Sequence, residues 1–162
     1  MTVSRDGPRP ADARVTSPAA PARSDSASRP RVLVAYDGSE ASKRAIERVA
    51  RLMTTAGVAL VTVARPIYAT PPYGGYADPE DENEARRLLQ AARETLQRDG
   101  VAASGYAAVG DAATEILRTA SVFEAELIVL GARSLGAAGR LLLGSVSTSV
   151  MHRSRCDVLI VK

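Results

Sequence analysis

The sequence predicts an α/β domain built on a five-stranded parallel sheet, and three observations carry that prediction. Five short apolar runs alternate with helical patterns, the order that right-handed crossovers between parallel strands require. The clearest runs are continuous and valine-rich, as expected of strands covered on both faces. Near the C-terminus, the run Leu127–Gly131 ends in glycine and leads through a small-residue loop to Gly144-Ser145, where a further helix is expected to begin.

Arg31 to Tyr36 is the first strand and Val58 to Ala64 the second. Between them, Ala41, Ala45, Ile46, Val49, Leu52 and Met53 share one helical stripe. Ser39 is suited to cap its start, Glu40 lies in the first turn, and the helix is expected to close near Gly57. From Arg65 to Pro79 the chain holds Pro66, Pro71, Pro72, Gly74, Gly75 and three tyrosines, which predicts a long irregular loop. Ala85, Leu88, Leu89, Ala92 and Leu96 then define the apolar face of a second helix, ended by Asp99-Gly100. Val101 to Val109 reads as a weak strand, diluted by Gly105 and four alanines, and belongs at a sheet edge. Gly110-Asp111 caps a third helix with Ile116, Leu117, Ala120 and Phe123 inward and Glu115 in its first turn. Glu126 to Leu130 is the fourth strand, Ser145 to about Arg153 the last helix, and Asp157 to Val161 the fifth strand.

At 162 residues the chain is one domain by length. Residues 1–30 hold five of its nine prolines and no apolar run, so this segment is expected to be a disordered Pro/Ala/Ser/Arg-rich tail, with the folded domain at 31–162. The tail also carries five arginines against three aspartates, +2 of the net charge of +3. The remainder is nearly neutral and contains a single Phe, which argues against a nucleic-acid groove. No run is long enough to span a membrane and the N-terminus lacks the apolar core of a secretion signal, so no membrane association and a cytoplasmic location are expected. The single cysteine, Cys156, forms no internal disulfide, and at the start of a β-branched run it reads as a small buried hydrophobe or a redox sensor.

A glycine-closed strand followed by a glycine-rich loop that opens a helix is the arrangement that brings backbone N–H groups to a phosphate. The frame here is Gly131, two residues, Ser134, nine residues, then Gly144-Ser145; the N-terminal half adds Val32-Leu-Val-Ala-Tyr-Asp37 followed by Gly38-Ser39-Glu40. Together these resemble the universal stress protein family over residues 31–162. The ATP-binding branch of that family carries glycine, two residues, glycine, nine residues, then glycine with serine or threonine; Ser134 replaces the second glycine. An L-residue forced into the left-handed region costs about 1–2 kcal/mol, up to about tenfold in affinity, while the serine hydroxyl adds a donor for a phosphate oxygen.

The resemblance implies an adenine nucleotide α-hydrolase-like sheet of order 3-2-1-4-5 with helices on both faces. Strands 1 and 4 then adjoin at the reversal of strand order, where ligands of open α/β sheets lie. It further implies that Ala35, Tyr36, Asp37 and Val63 line the adenosine end of an ATP site. Gly131, Arg133, Ser134, Gly144, Ser145 and Val146 would hold the phosphates, with Mg²⁺ as a companion ion, and the protein would form a homodimer.

Each residue also has a plainer reading. Asp37 accepts from a ribose hydroxyl or from local backbone donors. Val63 is core filler, Gly131 and Gly144 serve turning and packing, and Ser145 is an N-cap. Arg133 and Arg140 compensate triphosphate charge or are simply solvated. His152 has neither a metal partner nor a nearby acid at helical spacing. No Gly-Lys-Ser/Thr phosphate loop, Gly-x-Gly-x-x-Gly after a strand, or Gly-x-Ser-x-Gly elbow occurs, so no catalytic residue is assigned. The leading expectation is a nucleotide-binding regulatory protein whose occupied site changes its contacts with a partner protein. The alternatives are a nucleotide-free dimeric adaptor, paired through the last strand, and a slow ATP hydrolase.

Overall fold

A computed structural model describes residues 29–67, 76–77, 79–132 and 144–162 of the chain. Arg133, Ser134, Arg140, almost all of the proposed tail and most of the loop expected at 65–79 lie outside the described residues.

The elements, in chain order, are β1 (Arg31–Ala35), α1 (Glu40–Leu52), β2 (Gly57–Ala64), β3 (Pro66–Ile67), β4 (Tyr76–Ala77), α2 (Pro79–Arg98), β5 (Ala103–Val109), α3 (Ala112–Phe123), β6 (Leu127–Gly131), α4 (Ser145–Arg153) and β7 (Asp157–Val161). Five strands form one sheet in the order β5-β2-β1-β6-β7, every neighbouring pair parallel. Counted along the chain, those five strands have the order 3-2-1-4-5 that the resemblance implied.

Side-chain alternation sorts the sheet's two faces. Val32, Val34, Val58, Leu60 and Val129 meet Ala45, Ile46 and Val49 of α1 and Leu89, Ala92 and Leu96 of α2. Leu33, Ala59, Val61, Ile128 and Leu130 meet Ala113, Ile116 and Ala120 of α3 and Val150 of α4. A strand buried on both faces has no polar side to alternate with, which is why these runs read as continuous in sequence. β5 lies at an edge, as expected, but its glycine has a specific reason: a Cβ at Gly105 would stand 2.8 Å from Leu89 Cδ2. The glycine lets α2 lie close on the sheet.

Three local differences from the sequence reading have physical causes. Helix α1 stops at Met53, whose φ of −128° leaves the helical region, and not near Gly57; the Gly57 N–H instead donates to Pro30 O at 2.9 Å and opens β2. The segment after Arg65 is not wholly irregular, because Pro66 pairs with Ala77 and Ile67 with Tyr76 as a two-residue antiparallel ladder. That ladder is too short to produce a period-2 signal. Helix α4 starts as expected at Ser145, but its N-cap is Gly144 and Ser145 is the first helical residue.

Candidate functional site

The sheet order creates a crevice. From β1 the chain leaves through α1 toward β2, and from β6 it leaves through α4 toward β7, so two hydrogen-bonded neighbours send their connections in opposite directions. Their register, Val34 opposite Val129, brings the carboxyl ends at Ala35 to Asp37 and at Gly131 side by side. Two ties hold these ends: the Tyr36 N–H donates to Val61 O at 2.9 Å, and the Ala132 N–H donates to Val161 O at 2.6 Å.

Beyond β1, Asp37-Gly38-Ser39 forms a tight turn. Gly38 has φ +78°, a conformation that glycine adopts without penalty. The Ser39 N–H donates to Asp37 Oδ1 at 3.0 Å, and Ser39 Oγ accepts from the Ser42 N–H at 3.2 Å as the N-cap of α1. The local reading of Asp37 is therefore realised, while the residue stays exposed. Burial works to raise its pKa, and hydrogen bonds from Ser39 and Ser42 outweigh that effect, holding the carboxyl below its ordinary value. Asp37 thus stays ionised and can accept a further hydrogen bond.

The apolar candidates divide by face. Ala35, Val63 and Val146 are half-buried and pack on the same cluster, on the α3/α4 side of the sheet. Tyr36 is 8% exposed and packs on the opposite cluster, toward α1 and α2. The structure places the first three on one face of the sheet and the tyrosine ring on the other, leaving its backbone at the strand end. Burial chiefly raises the Tyr36 pKa, so the ring remains a neutral core group.

The two frame glycines have different causes. A Cβ at Gly131 would lie 2.5 Å from Ala41 C and 2.6 Å from Ser42 N, both backbone atoms of α1. Packing of β6 against the first turn of α1 therefore excludes any side chain there. Gly144, with φ −64° and ψ 160°, sits in extended backbone that any residue adopts.

What Gly144 withholds is a cap. Helices α1 and α3 are capped by Ser39 and by Asp111, whose Oδ1 accepts from the Thr114 N–H at 2.9 Å. Gly144 gives helix α4 no side-chain cap, none other is found among the described residues, and the first helical residue, Ser145, is exposed. The Ser147 hydroxyl donates to Gly144 O at 3.2 Å and fills none of the N–H groups of this turn. An uncapped start presents free N–H donors and about half a positive charge. Arg133 and Ser134, the other phosphate candidates, lie outside the described residues.

Sequence reasoning passed over Ser42, which bonds Ser39 and helps to hold the Asp37 turn; the Ser39-x-x-Ser42 spacing at a helix start was the available signal. Among the described residues no cluster of three or more His, Cys, Asp or Glu is placed to hold a metal, and no helix is long and apolar enough to cross a membrane.

Comparison with known proteins adds the following. Residues 28–162 match the universal stress protein family. The chain is 36% identical over 137 residues to a universal stress protein of Thermus aquaticus, covering 81% of this chain and 97% of that one. It is 41% identical over 83 residues to universal stress protein Sll1388 of Synechocystis sp., a match to 51% of this chain that spans 54% of the relative's length. Among solved structures, a universal stress protein in complex with cAMP superposes with a TM-score of 0.63 at 26% identity, covering 82% of this chain and 96% of that one.

Proposed function

We propose that this chain, which belongs to the universal stress protein family, binds an adenine nucleotide in the crevice between β1 and β6, and that ATP is the nucleotide. The observation that carries the reading is the uncapped start of α4 at the place where the strand order reverses. A phosphate there would accept from the N–H groups of Ser145 and Val146. Asp37 would offer its exposed, ionised carboxylate to a ribose hydroxyl, and Ala35, Val63 and Val146 would offer an apolar wall to a base. A related structure in complex with cAMP supports the choice of adenine nucleotides. Mg²⁺, if it accompanies ATP, would be held by phosphate oxygens together with the Ser145 hydroxyl.

Occupancy would serve as a signal. Nucleotide bound at the start of α4 would alter the surface around that helix end, and the altered surface would be read by a regulatory partner protein in the cytoplasm. With no catalytic residue assigned, the reading holds hydrolysis to be slow or absent.

The test is isothermal titration of wild type and Gly144→Asp with ATP and Mg²⁺. The new carboxylate would occupy the open cap and repel phosphate, so affinity should fall by about tenfold or more. Absence of ATP binding by the wild type, or equal affinity in the variant, would remove the reading. A second reading has its own support. β7 is an open edge strand whose Val158, Leu159 and Ile160 are only half-buried, which suits a nucleotide-free adaptor that pairs with a second copy through this edge. Sedimentation of wild type and an edge variant such as Leu159→Lys, with and without ATP, separates the two.

A further inference from the structure

Along β2, Leu60 and Ala64 face α1 and α2, while Val61 and Val63 face α3 and α4. Arg65 follows at the next position of that alternation. It precedes Pro66, and a residue before proline is held in extended backbone, so the pleat of β2 carries through Arg65 and turns it to the same side as Val63.

The register sets Arg65 beside the crevice. Ala35 stands opposite Val61 and the Tyr36 N–H reaches Val61 O, so Asp37 comes level with Val63. Arg65 lies two residues, about 7 Å, beyond that level, a distance its long side chain can span back toward the strand ends. It is exposed and makes no hydrogen bond or ion pair among the described residues. The acids nearby have other partners. Asp111, which follows the Gly110 bonded to Ala64 O, accepts from the Thr114 N–H and hydroxyl, Glu115 is paired with Arg118, and Asp37 accepts from the Ser39 N–H. The guanidinium is therefore free to move, and the apolar surface within its reach is accessible, since Ala35, Val63 and Val146 are only half-buried.

We propose, resting on the reading of a nucleotide in this crevice, that Arg65 closes its base end: the guanidinium lies flat on one face of the base, whose other face rests on Ala35, Val63 and Val146. A planar, weakly hydrated cation over an aromatic ring is a favourable contact. The contact is to the face because the adenine edge sets an amino donor beside N7, and arginine carries donors only; the pair of acceptors it could bind in parallel belongs to guanine. A purine offers a larger face than a pyrimidine, so Arg65 is a specificity-determining residue for the base, whereas the start of α4 acts on phosphate.

ATP, CTP and GTP are titrated calorimetrically, in competition where binding is weak, into wild type, Arg65→Lys and Arg65→Met. Arg65→Lys keeps the charge and loses the plane. Wild type should bind ATP more tightly than CTP, and that preference should shrink by about threefold in both variants. Melting temperatures should not change, because the side chain holds nothing in the fold. Gly144→Asp should weaken ATP and CTP alike and leave the preference intact. An ATP-to-CTP preference that persists in both Arg65 variants would overturn the role of Arg65 and leave the nucleotide site standing. Tighter binding of GTP than of ATP, lost in Arg65→Lys, would move the contact to the base edge and overturn it as well. Absence of ATP binding by wild type would remove the nucleotide reading and this proposal with it.

Discussion

Replacing Gly131 by alanine should be among the most damaging single-methyl additions in the domain. The added Cβ would stand 2.5 Å from Ala41 C, about 0.9 Å short of the 3.4 Å at which ordinary contact begins, and 2.6 Å from Ser42 N. Both partners are backbone, so no rotamer change relieves the clash. The first turn of α1 is also fixed: Ser39 caps it, and Ala45 and Ile46 one turn further on are 0% and 2% exposed. Helix α1 must shift as a body by roughly 1 Å, which places the cost at about 3 kcal/mol, the upper end of overpacking in a close-packed interior. With a urea dependence of about 2 kcal/mol/M, the midpoint should fall by about 1.5 M at unchanged slope. Gly57→Ala is the control, since its Cβ would meet only Arg31 Cγ at 3.8 Å and its midpoint should move by less than about 0.5 M. If Gly131→Ala were as stable as Gly57→Ala, the close approach of β6 to α1 would be wrong, and the glycine would need a ligand to explain it.

Gly38→Ala should lose about 1–2 kcal/mol in the same urea experiment, because φ +78° is strained for alanine and its Cβ would meet Leu88 Cδ2 at 2.8 Å. Asp111 is held below its ordinary carboxylate pKa by hydrogen bonds from Thr114, so its contribution to stability is complete above the unfolded value near 4 and is lost as pH falls through the lower folded value. Asp111→Asn keeps an acceptor for the Thr114 N–H but cannot titrate, so thermal melts should show a smaller loss between about pH 5 and pH 3 than in wild type. Ser134→Gly should tighten ATP by up to about tenfold in calorimetry if the serine holds a left-handed conformation, and an unchanged Kd would mean that it sits without strain.

The sheet was legible because burial on both faces leaves a mark in sequence: Val32 to Ala35, Val58 to Ala64 and Leu127 to Leu130 contain almost no polar residue. The paired ladder at Pro66–Ile67 and Tyr76–Ala77 was not, since two residues carry no periodicity and prolines dominate the surroundings. Gly105 was read as dilution of a strand, and only coordinates reveal the leucine pressed against it. At the site, the Asp37-Gly38-Ser39 turn could be read from residue chemistry alone. Which side of the sheet receives Tyr36 was fixed by simple alternation with Val34, yet motif matching treats Ala35, Tyr36 and Asp37 as one lining and so blurs it. Ser145 looked like the cap because serine is a good one. The residue before it took the position, and its lack of a side chain is what leaves the helix start open.

That opening bears on why the chain carries glycine at 144. Extended backbone at φ −64° accepts serine or aspartate without strain, and either would stabilise α4 by roughly 0.3 kcal/mol relative to glycine. Gly131 is dictated by α1, whereas Gly144 forgoes stability that an ordinary substitution would supply. Gly144→Ser therefore tests whether the open start serves binding. The serine hydroxyl would take the donor of Ser147 or Val146, raising the melting temperature by about 1–2 °C while weakening ATP by a few-fold. A variant that gains stability and binds ATP as tightly as wild type would show that these N–H groups never met the nucleotide. The crevice between β1 and β6 would then have lost the one feature that distinguishes it from an ordinary strand-to-helix junction.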